Sequence, residues 1–322
     1  MKYKNIPQTE LNVSAICLGL SLIGSDLSEQ KSFNLLDAFH EKGGNFLDTA
    51  HNYADWIKGA KGKCLSEKTL GRWIKKRGNR RKIIVGTKGG CYDLSTYTPN
   101  SSSSESIVGQ LNQSLENLQT DYIDLYWLHR DDPSRPVAHF VDMLNEQMRL
   151  GKIKYFGCSN WTVQRIKQVM DYAGKHNLQG FVANQMWWSL AAPTLKDFPD
   201  KTIVAMDAET IEFHKTTGLA AIPYSSQARG FFSKLSKLGE AGLDEGLKKL
   251  YYSEKNILIF ERLKKIVSVL QKSVTEVSLA YLTSHPFVTI PIIGPKSVEQ
   301  LKESLKASEV VLSEEMLLYL KP

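Results

Sequence analysis

The sequence predicts an α/β chain folded as a single (β/α)8 TIM barrel with extra helices at its C-terminal end. Three observations carry this. Strand-like and helix-like runs alternate eight times along the chain. The strand runs are near-continuously apolar, as expected of a parallel sheet covered by helices on its outer face. The rival open, doubly wound sheet wants a G-x-G-x-x-G turn after its first strand, and Gly19 and Gly24 do not supply one. No stretch has the composition of an interdomain linker, so residues 1–322 are taken as one domain.

The elements follow in order. Ala15 to Leu20 is the first core strand. Glu29 to Glu41 is a helix with Phe33, Leu36 and Phe39 at helical spacing, stopped by Gly43-Gly44. Asn45 to Asp48 is the second strand, Ser66 to Lys76 the second helix and Lys82 to Thr87 the third strand. Ser104 to Leu118 is helical, and Ser101 to Ser104 offer its N-caps, so the serine run is a capped loop. Tyr122 to Leu128 is the fourth strand, Pro136 to Leu150 a helix, Ile153 to Cys158 the fifth strand and Thr162 to Ala173 a helix. Phe181 to Gln185 is the sixth strand, Ala208 to Thr217 a helix and Ala220 to Tyr224 the seventh strand. Two helices fit Ile257 to His285. Val288 to Ile293 is the eighth strand, Val298 to Ala307 the last barrel helix and Ser313 to Leu320 a C-terminal helix.

Composition narrows the function. A net charge of +7 and a pI near 9.0 are mildly basic and suit an anionic ligand, but Lys and Arg are spread along the chain, which argues against nucleic acid. The four cysteines, Cys17, Cys64, Cys91 and Cys158, form no C-x-x-C pair and suit a reducing compartment. The segment Met1 to Glu10 has no signal-peptide core, and no run approaches the ~18 apolar residues of a membrane span. A cytoplasmic location with no membrane partner is the expectation. No H-x-H or H-x-x-x-H pair occurs among the seven histidines, so no metal site is expected.

In a barrel, function sits at the strand C-termini. Asp48, Lys88 and His129 each end an apolar run there, and Tyr53 follows Asp48 by five residues. A carboxylate, an ammonium, an imidazole and a phenol around one point suit proton transfer to or from an oxygen. An unaided phenol is a poor acid–base group near neutral pH. A neighbouring Lys88 ammonium favours the phenolate, Asp48 holds that ammonium charged, and His129 steers a carbonyl oxygen by hydrogen bonding. Tyr53 is then general acid for reduction and general base for oxidation.

The chain resembles the aldo-keto reductases over nearly its whole length. The resemblance rests on Gly44-Asn45-Phe46-Leu47-Asp48-Thr49-Ala50 with Tyr53, and on Thr87-Lys88. It extends to Asp121-Tyr122-Ile123-Asp124-Leu125-Tyr126 with His129, and to Gly151-Lys152-Ile153 through Gly157-Cys158-Ser159-Asn160. Gln185, Pro223-Tyr224-Ser225 and Ile290-Pro291-Ile292-Ile293-Gly294 complete it. It implies an NADP(H)-dependent enzyme that interconverts a small-molecule carbonyl and its alcohol; the alternative is a cofactor-sensing regulatory subunit with slow turnover. No oligomeric state is read from it.

The resemblance further implies that Ser159, Asn160 and Gln185 bind the nicotinamide carboxamide and that Tyr224 stacks on the nicotinamide. Ser225, Ser226, Gln227 and Arg229 belong to the loop that crosses the pyrophosphate. Gly294, Lys296, Ser297, Gln300, Glu303 and Ser304 serve the adenosine end, with Lys296 and Ser297 at the 2′-phosphate. Two departures stand out there: Gln227-Ala228 replaces the usual Leu-Gly, and Ser304 stands where Asn is usual. Residues Ala54 to Leu65 form an insertion over the expected site mouth. Trp56, Trp187, Trp188 and Arg130, with Asp131 and Asp132 beside it, are the candidate substrate contacts. Aromatic faces with polar edges suit a polyhydroxylated carbonyl such as a sugar, and a hydrophobic aldehyde is the other option.

Overall fold

The structure is a computed structural model that describes residues 1–57, 59–60, 63–92 and 102–321. Two short strands, β1 (Tyr3–Asn5) and β2 (Asn12–Ser14), form an antiparallel hairpin that the sequence reading does not anticipate. Eight parallel strands follow: β3 (Cys17–Gly19), β4 (Phe46–Asp48), β5 (Ile84–Gly89), β6 (Ile123–Leu128), β7 (Ile153–Ser159), β8 (Ala183–Gln185), β9 (Ala220–Ala221) and β10 (Ile292–Ile293). Their order in the sheet is β10-β3-β4-β5-β6-β7-β8-β9, so sequence neighbours are spatial neighbours. The two ends meet through Ala221 N to Val288 O (2.8 Å), Ile290 N to Ala221 O (2.9 Å) and Ile292 N to Pro223 O (2.9 Å). The sheet thereby closes on itself as the expected barrel, and its seam is the most irregular part of the wall.

Helices α1 (Glu29–Glu41), α2 (Leu65–Arg77), α3 (Ser104–Leu118), α4 (Val137–Arg149), α5 (Val163–His176) and α6 (Ala208–Thr217) follow successive strands. Local chemistry fixes their ends. Ser28, Ser103, Thr162 and Asp207 accept hydrogen bonds from first-turn amides, and Gly78 and Gly218 end α2 and α6 in the left-handed region. Ser103 is the cap chosen from the serine run; Ser101, like Lys58, Lys61 and Gly62 of the insertion, lies outside the described residues. Between β9 and β10 lie α7 (Phe231–Leu238), α8 (Glu245–Tyr251), α9 (Glu254–Leu270) and α10 (Val274–Thr283). The last two were expected; α7 and α8 were not. Finally α11 (Val298–Lys306) packs on the barrel, and α12 (Glu314–Leu320) contacts α9.

The apolar residues divide into three clusters. One lies between strands and α1 to α5, and a second gathers the helices of the β9–β10 connection against Trp187, Trp188 and Phe287. The third fills the barrel, where Phe46, Leu125, Trp127, Ile222 and Ile290 meet Ile6, Leu11 and Val13 of the hairpin. The hairpin is therefore the floor of the barrel. Lys4 Nζ ties it to the carbonyls of Thr283 (3.2 Å) and Thr289 (3.1 Å), and Glu10 N donates to Tyr155 Oη (3.1 Å).

Trp127, on β6, is fully buried in the interior. Burying such a ring stabilises the fold by about 4–6 kcal/mol at most. Two glycines make room for it. A Cβ at Gly86 would sit 2.9 Å from Trp127 Nε1 and 3.2 Å from Asp48 Oδ1, and one at Gly157 would sit 2.6 Å from the Trp127 ring and from Ala183 O. The floor of the site is thus built from a large residue flanked by absent side chains on β5 and β7.

Candidate active site

Asp48 is the last residue of β4, Lys88 lies at the end of β5, and His129 follows β6 directly. The parallel register sets Asp48 opposite Gly86 and Lys88 opposite Trp127, which carries all three side chains to the same rim. Tyr53 arrives on the turn after β4: His51 N donates to Lys88 O (3.0 Å), and Tyr53 N donates to Ala50 O (3.1 Å). Lys88 Nζ lies 2.5 Å from Asp48 Oδ2, 2.7 Å from Thr49 O and 3.1 Å from Tyr53 Oη, so its three donor positions are all used. The His129 and Tyr53 rings stand edge to face with centroids 6.2 Å apart. The four sequence-selected residues meet at one point.

Their electrostatics follow from burial. Lys88 and Asp48 are each 1% exposed. Burial raises the Asp48 carboxyl, with the Lys88 ammonium pulling against it. Burial also opposes the charge on Lys88, but Asp48 and Tyr53 together hold it above the ordinary lysine range. For Tyr53 the sequence reading counts the Lys88 ammonium, which favours the phenolate, but not burial, which opposes it more strongly. Burial pushes the phenol above its usual value, and Lys88 offsets only part of that rise. Tyr53 is protonated at neutral pH. Burial, then Arg130 and Lys88, push the His129 imidazole well below its usual range, so it is neutral. Its Nδ1 is buried without a hydrogen-bond partner.

Gln185, the last residue of β8, donates from Nε2 to Asp48 Oδ1 (3.1 Å). An ionised carboxylate only accepts, so the amide must present its nitrogen there and keep its oxygen on the other side. Asn160 follows β7 in the left-handed conformation (φ 59), which Asn tolerates. Its Oδ1 accepts from Tyr224 Oη (2.7 Å) and Val204 N (3.3 Å), and its Nδ2 donates to Ser159 Oγ (3.0 Å). One oxygen and one spare N–H remain at this edge of the site. Neither the Gln185–Asp48 nor the Tyr224–Asn160 hydrogen bond is visible in the spacing of the sequence.

The segment after Tyr224 is backbone-strained. Ser225, Ala228, Arg229 and Gly230 all have φ between 49° and 79°. Ser226 Oγ anchors it to Ile292 O (2.6 Å), and Gln227 Nε2 reaches Ser304 Oγ (3.1 Å). The two departures from the usual pattern therefore contact each other. Ser304 Oγ in turn donates to Gln300 O (2.9 Å), and Gln300 Oε1 accepts from Lys296 N (2.8 Å). Ser297 caps α11, Lys296 is exposed beside it, Gly294 is exposed before it and Glu303 is half-buried.

Three candidate substrate contacts are engaged within the protein. Trp188 is 5% exposed and packs on His285 (4.9 Å between centroids), Phe287 and Tyr281, so it belongs to the core between the barrel and its helices. Trp187 is 3% exposed; its Nε1 donates to Tyr251 Oη (2.9 Å), and its ring packs on Phe198 and Tyr224 with Arg229 over it. Arg130 gives Nε to Thr202 Oγ1 (3.0 Å), Nη1 to His129 O (2.9 Å) and Nη2 to Asp200 Oδ2 (2.9 Å), so protein acceptors occupy its fork. Asp131 pairs with Arg165, and Asp132 binds Ser102, Ser134 and Arg135. Only Trp56 remains open, 51% exposed and 6.0 Å from the Tyr53 ring. The described residues of the insertion that carries it make turns in which Ala54 and Ala60 are buried. Among the described residues, no group of His, Cys, Asp or Glu could hold a metal ion, and no helix is long and apolar enough to cross a membrane.

Comparison with known proteins agrees with this geometry. Residues 15–321 match the model of the Aldo/keto reductase family. An uncharacterized oxidoreductase of Bacillus subtilis, YrpG, is 30% identical over 98% of this chain and 94% of its own length. Norsolorinic acid reductase B of Dothistroma septosporum is 28% identical over 98% of this chain and 79% of its own. An aryl-alcohol dehydrogenase [NADP(+)] of Phanerodontia chrysosporium is 28% identical over 98% and 83% respectively.

Proposed function

The chain belongs to the aldo/keto reductase family, and from that premise we propose that this carbonyl/alcohol oxidoreductase is an NADP(H)-dependent reductase of aromatic aldehydes or ketones, with Tyr53 as proton donor. The observation that carries the reading is the single ammonium, Lys88 Nζ, in contact with both Asp48 and the Tyr53 hydroxyl. Tyr53 is protonated at neutral pH and can give its proton to a carbonyl oxygen. The phenolate left behind is met by Lys88 at 3.1 Å, so the ammonium stabilises the state that follows proton loss. A neutral His129 orients the same oxygen without competing for the proton. The reducing direction suits this resting ionisation.

The residues present fit the dinucleotide. A primary carboxamide offers N–H and C=O, and Gln185 Oε1 and the spare Asn160 N–H are the complementary pair. An exposed Lys296 next to a capped helix N-terminus at Ser297 suits the 2′-phosphate of NADP. When bound, the cofactor supplies the hydride. On the substrate side, the open face of Trp56 next to Tyr53 suits a flat ring. The burial of Trp187 and Trp188 removes two of the three aromatic faces on which a sugar reading rested. One relative bears the name of an NADP(+)-dependent dehydrogenase of aryl alcohols, which supports the same class.

The test pairs one variant with one panel. Tyr53→Phe is expected to lower kcat by about 10²–10⁴-fold while leaving the NADPH dissociation constant unchanged. Aromatic aldehydes are expected to exceed aldoses in kcat/KM, measured by NADPH absorbance. Near-normal turnover by the variant refutes the proton donor, and a preference for sugars refutes the substrate class.

A further inference from the structure

We propose that Arg130 is a positioning residue of the reductase site, its buried ion pair with Asp200 fixing both His129 and the 200–206 segment. The proposal rests on Tyr53 being the proton donor. Three of its contacts point in three directions. Nη1 holds the backbone carbonyl of His129 at 2.9 Å, at the residue whose ring faces Tyr53. Nη2 holds Asp200 Oδ2 at 2.9 Å, with the two side chains only 12% and 8% exposed. Nε holds Thr202 Oγ1 at 3.0 Å, and Thr202 N and Oγ1 both donate to Asp200 Oδ1, which shapes the turn.

That turn leads into the cofactor side of the site. Val204 N donates to Asn160 Oδ1 (3.3 Å), Trp187 N to Val204 O (3.0 Å) and Met206 N to Trp187 O (2.9 Å). One guanidinium therefore connects the end of β6, which carries His129, to the segment that holds Asn160 and extends β8. A planar fork does this with a different nitrogen for each acceptor, Nε, Nη1 and Nη2, where a lysine has one.

The charge acts as well as the shape. Arg130 lowers the proton affinity of both Tyr53 and His129. The other ionisable groups that act on Tyr53 or Arg130 are Asp48 on β4, Lys88 on β5, Cys91 and Tyr92 after it, His129 after β6, Asp200, and Tyr224 after β9. Lys88, with Arg130 itself, supplies the positive charge that favours the Tyr53 phenolate.

Removing one member of a buried pair strands the other, so the informative variant replaces both, Arg130→Met with Asp200→Leu. It is expected to fold, yet to lose about 10- to 10²-fold in kcat, the size of a small misplacement at the reacting centre. Alcohol oxidation needs the phenolate, so its pH–rate profile is expected to move to higher pH. Arg130→Lys, which keeps the charge but not the fork, is expected to retain the wild-type profile with a reduced kcat, and it carries the test should the double variant fail to fold. A double variant with wild-type kcat and an unmoved profile overturns the proposal, as does a profile moved as far in Arg130→Lys as in the double variant. Tyr53→Phe is assayed beside them: its inactivity keeps the premise, and its turnover removes premise and proposal together.

Discussion

Replacing Lys88 by Met deletes a buried ammonium and leaves its three partners in place. Asp48 and Lys88 are each 1% exposed, so solvent cannot take over the charge that remains. Breaking a buried ion pair from one side costs about 3–5 kcal/mol. Part of that cost falls on Thr49 O, which loses its 2.7 Å donor; part is spared because Gln185 still donates to Asp48. The expected loss near pH 8 is therefore about 3–4 kcal/mol, read from urea unfolding followed by tryptophan fluorescence. The loss also depends on pH. Without the ammonium, burial raises the folded-state pKa of Asp48 above its unfolded value of roughly 3.9. The folded variant then binds the proton more tightly than the unfolded chain, so its stability recovers as pH falls. The deficit near pH 5 should be visibly smaller than near pH 8. Asp48→Asn in the same chain removes the stranded charge and should restore most of the loss. A deficit below about 1 kcal/mol, one that is flat with pH, or a double variant as unstable as the single, would show that the pair does not carry the energy assigned to it.

Three other expectations follow from the same structure. Gly86→Ala puts a methyl 2.9 Å from Trp127 Nε1 and 3.2 Å from Asp48 Oδ1, and overpacking of this kind should cost about 1–3 kcal/mol in urea unfolding and slow turnover with it; a silent substitution would mean the floor can shift freely. Burial depresses His285 to about 4 and also holds His129 and His214 below the usual imidazole range. A depressed histidine contributes stability above its unfolded pKa of about 6.5 that is lost as pH falls, so thermal unfolding should show stability declining between about pH 6.5 and about 4, and His285→Phe should flatten part of that decline. Lys296→Ala should weaken NADPH by roughly tenfold, about one charge-assisted hydrogen bond, and leave NADH nearly unchanged in a fluorescence titration; equal weakening of both would place Lys296 away from the 2′-phosphate.

The strands, the barrel and the rim residues were readable because each leaves a local mark. An ionisable side chain at the end of an apolar run signals the open end of a parallel barrel, and three such residues, with Tyr53 five positions after the first, point to the candidate site. What escaped depends on distant partners. The floor hairpin has strands of three residues, too short for a periodic signal. Helices α7 and α8 carried ordinary signals, with Gly230 and Gly239 flanking one and Asp244 capping the other, but lie between Gly230 and Ile257, where the sequence reading assigned no element. Trp187 and Trp188 looked like pocket residues because they follow a strand end, yet the helices of the β9–β10 connection, some 40 to 100 residues later in the chain, fold over them. The net rise of the Tyr53 pKa was missed because sequence displays neighbours and not depth.

The seam between β9 and β10 governs when this barrel comes into being. β10 pairs with β3, which joins Ile292 to Cys17 across almost the entire chain, whereas Asp48, Tyr53, Lys88 and His129 come from three consecutive strands. During synthesis the proton-transfer half emerges before Ile292 and can arrange itself locally, but β3 stays an open edge until β10 has left the ribosome. A nascent chain halted before Ile292 would hold every residue of that quartet and still expose unpaired backbone along Cys17–Gly19, a template for mispairing with other chains. The short, late strand at the seam is in this sense the lock that converts a half-finished sheet into a protein safe to release.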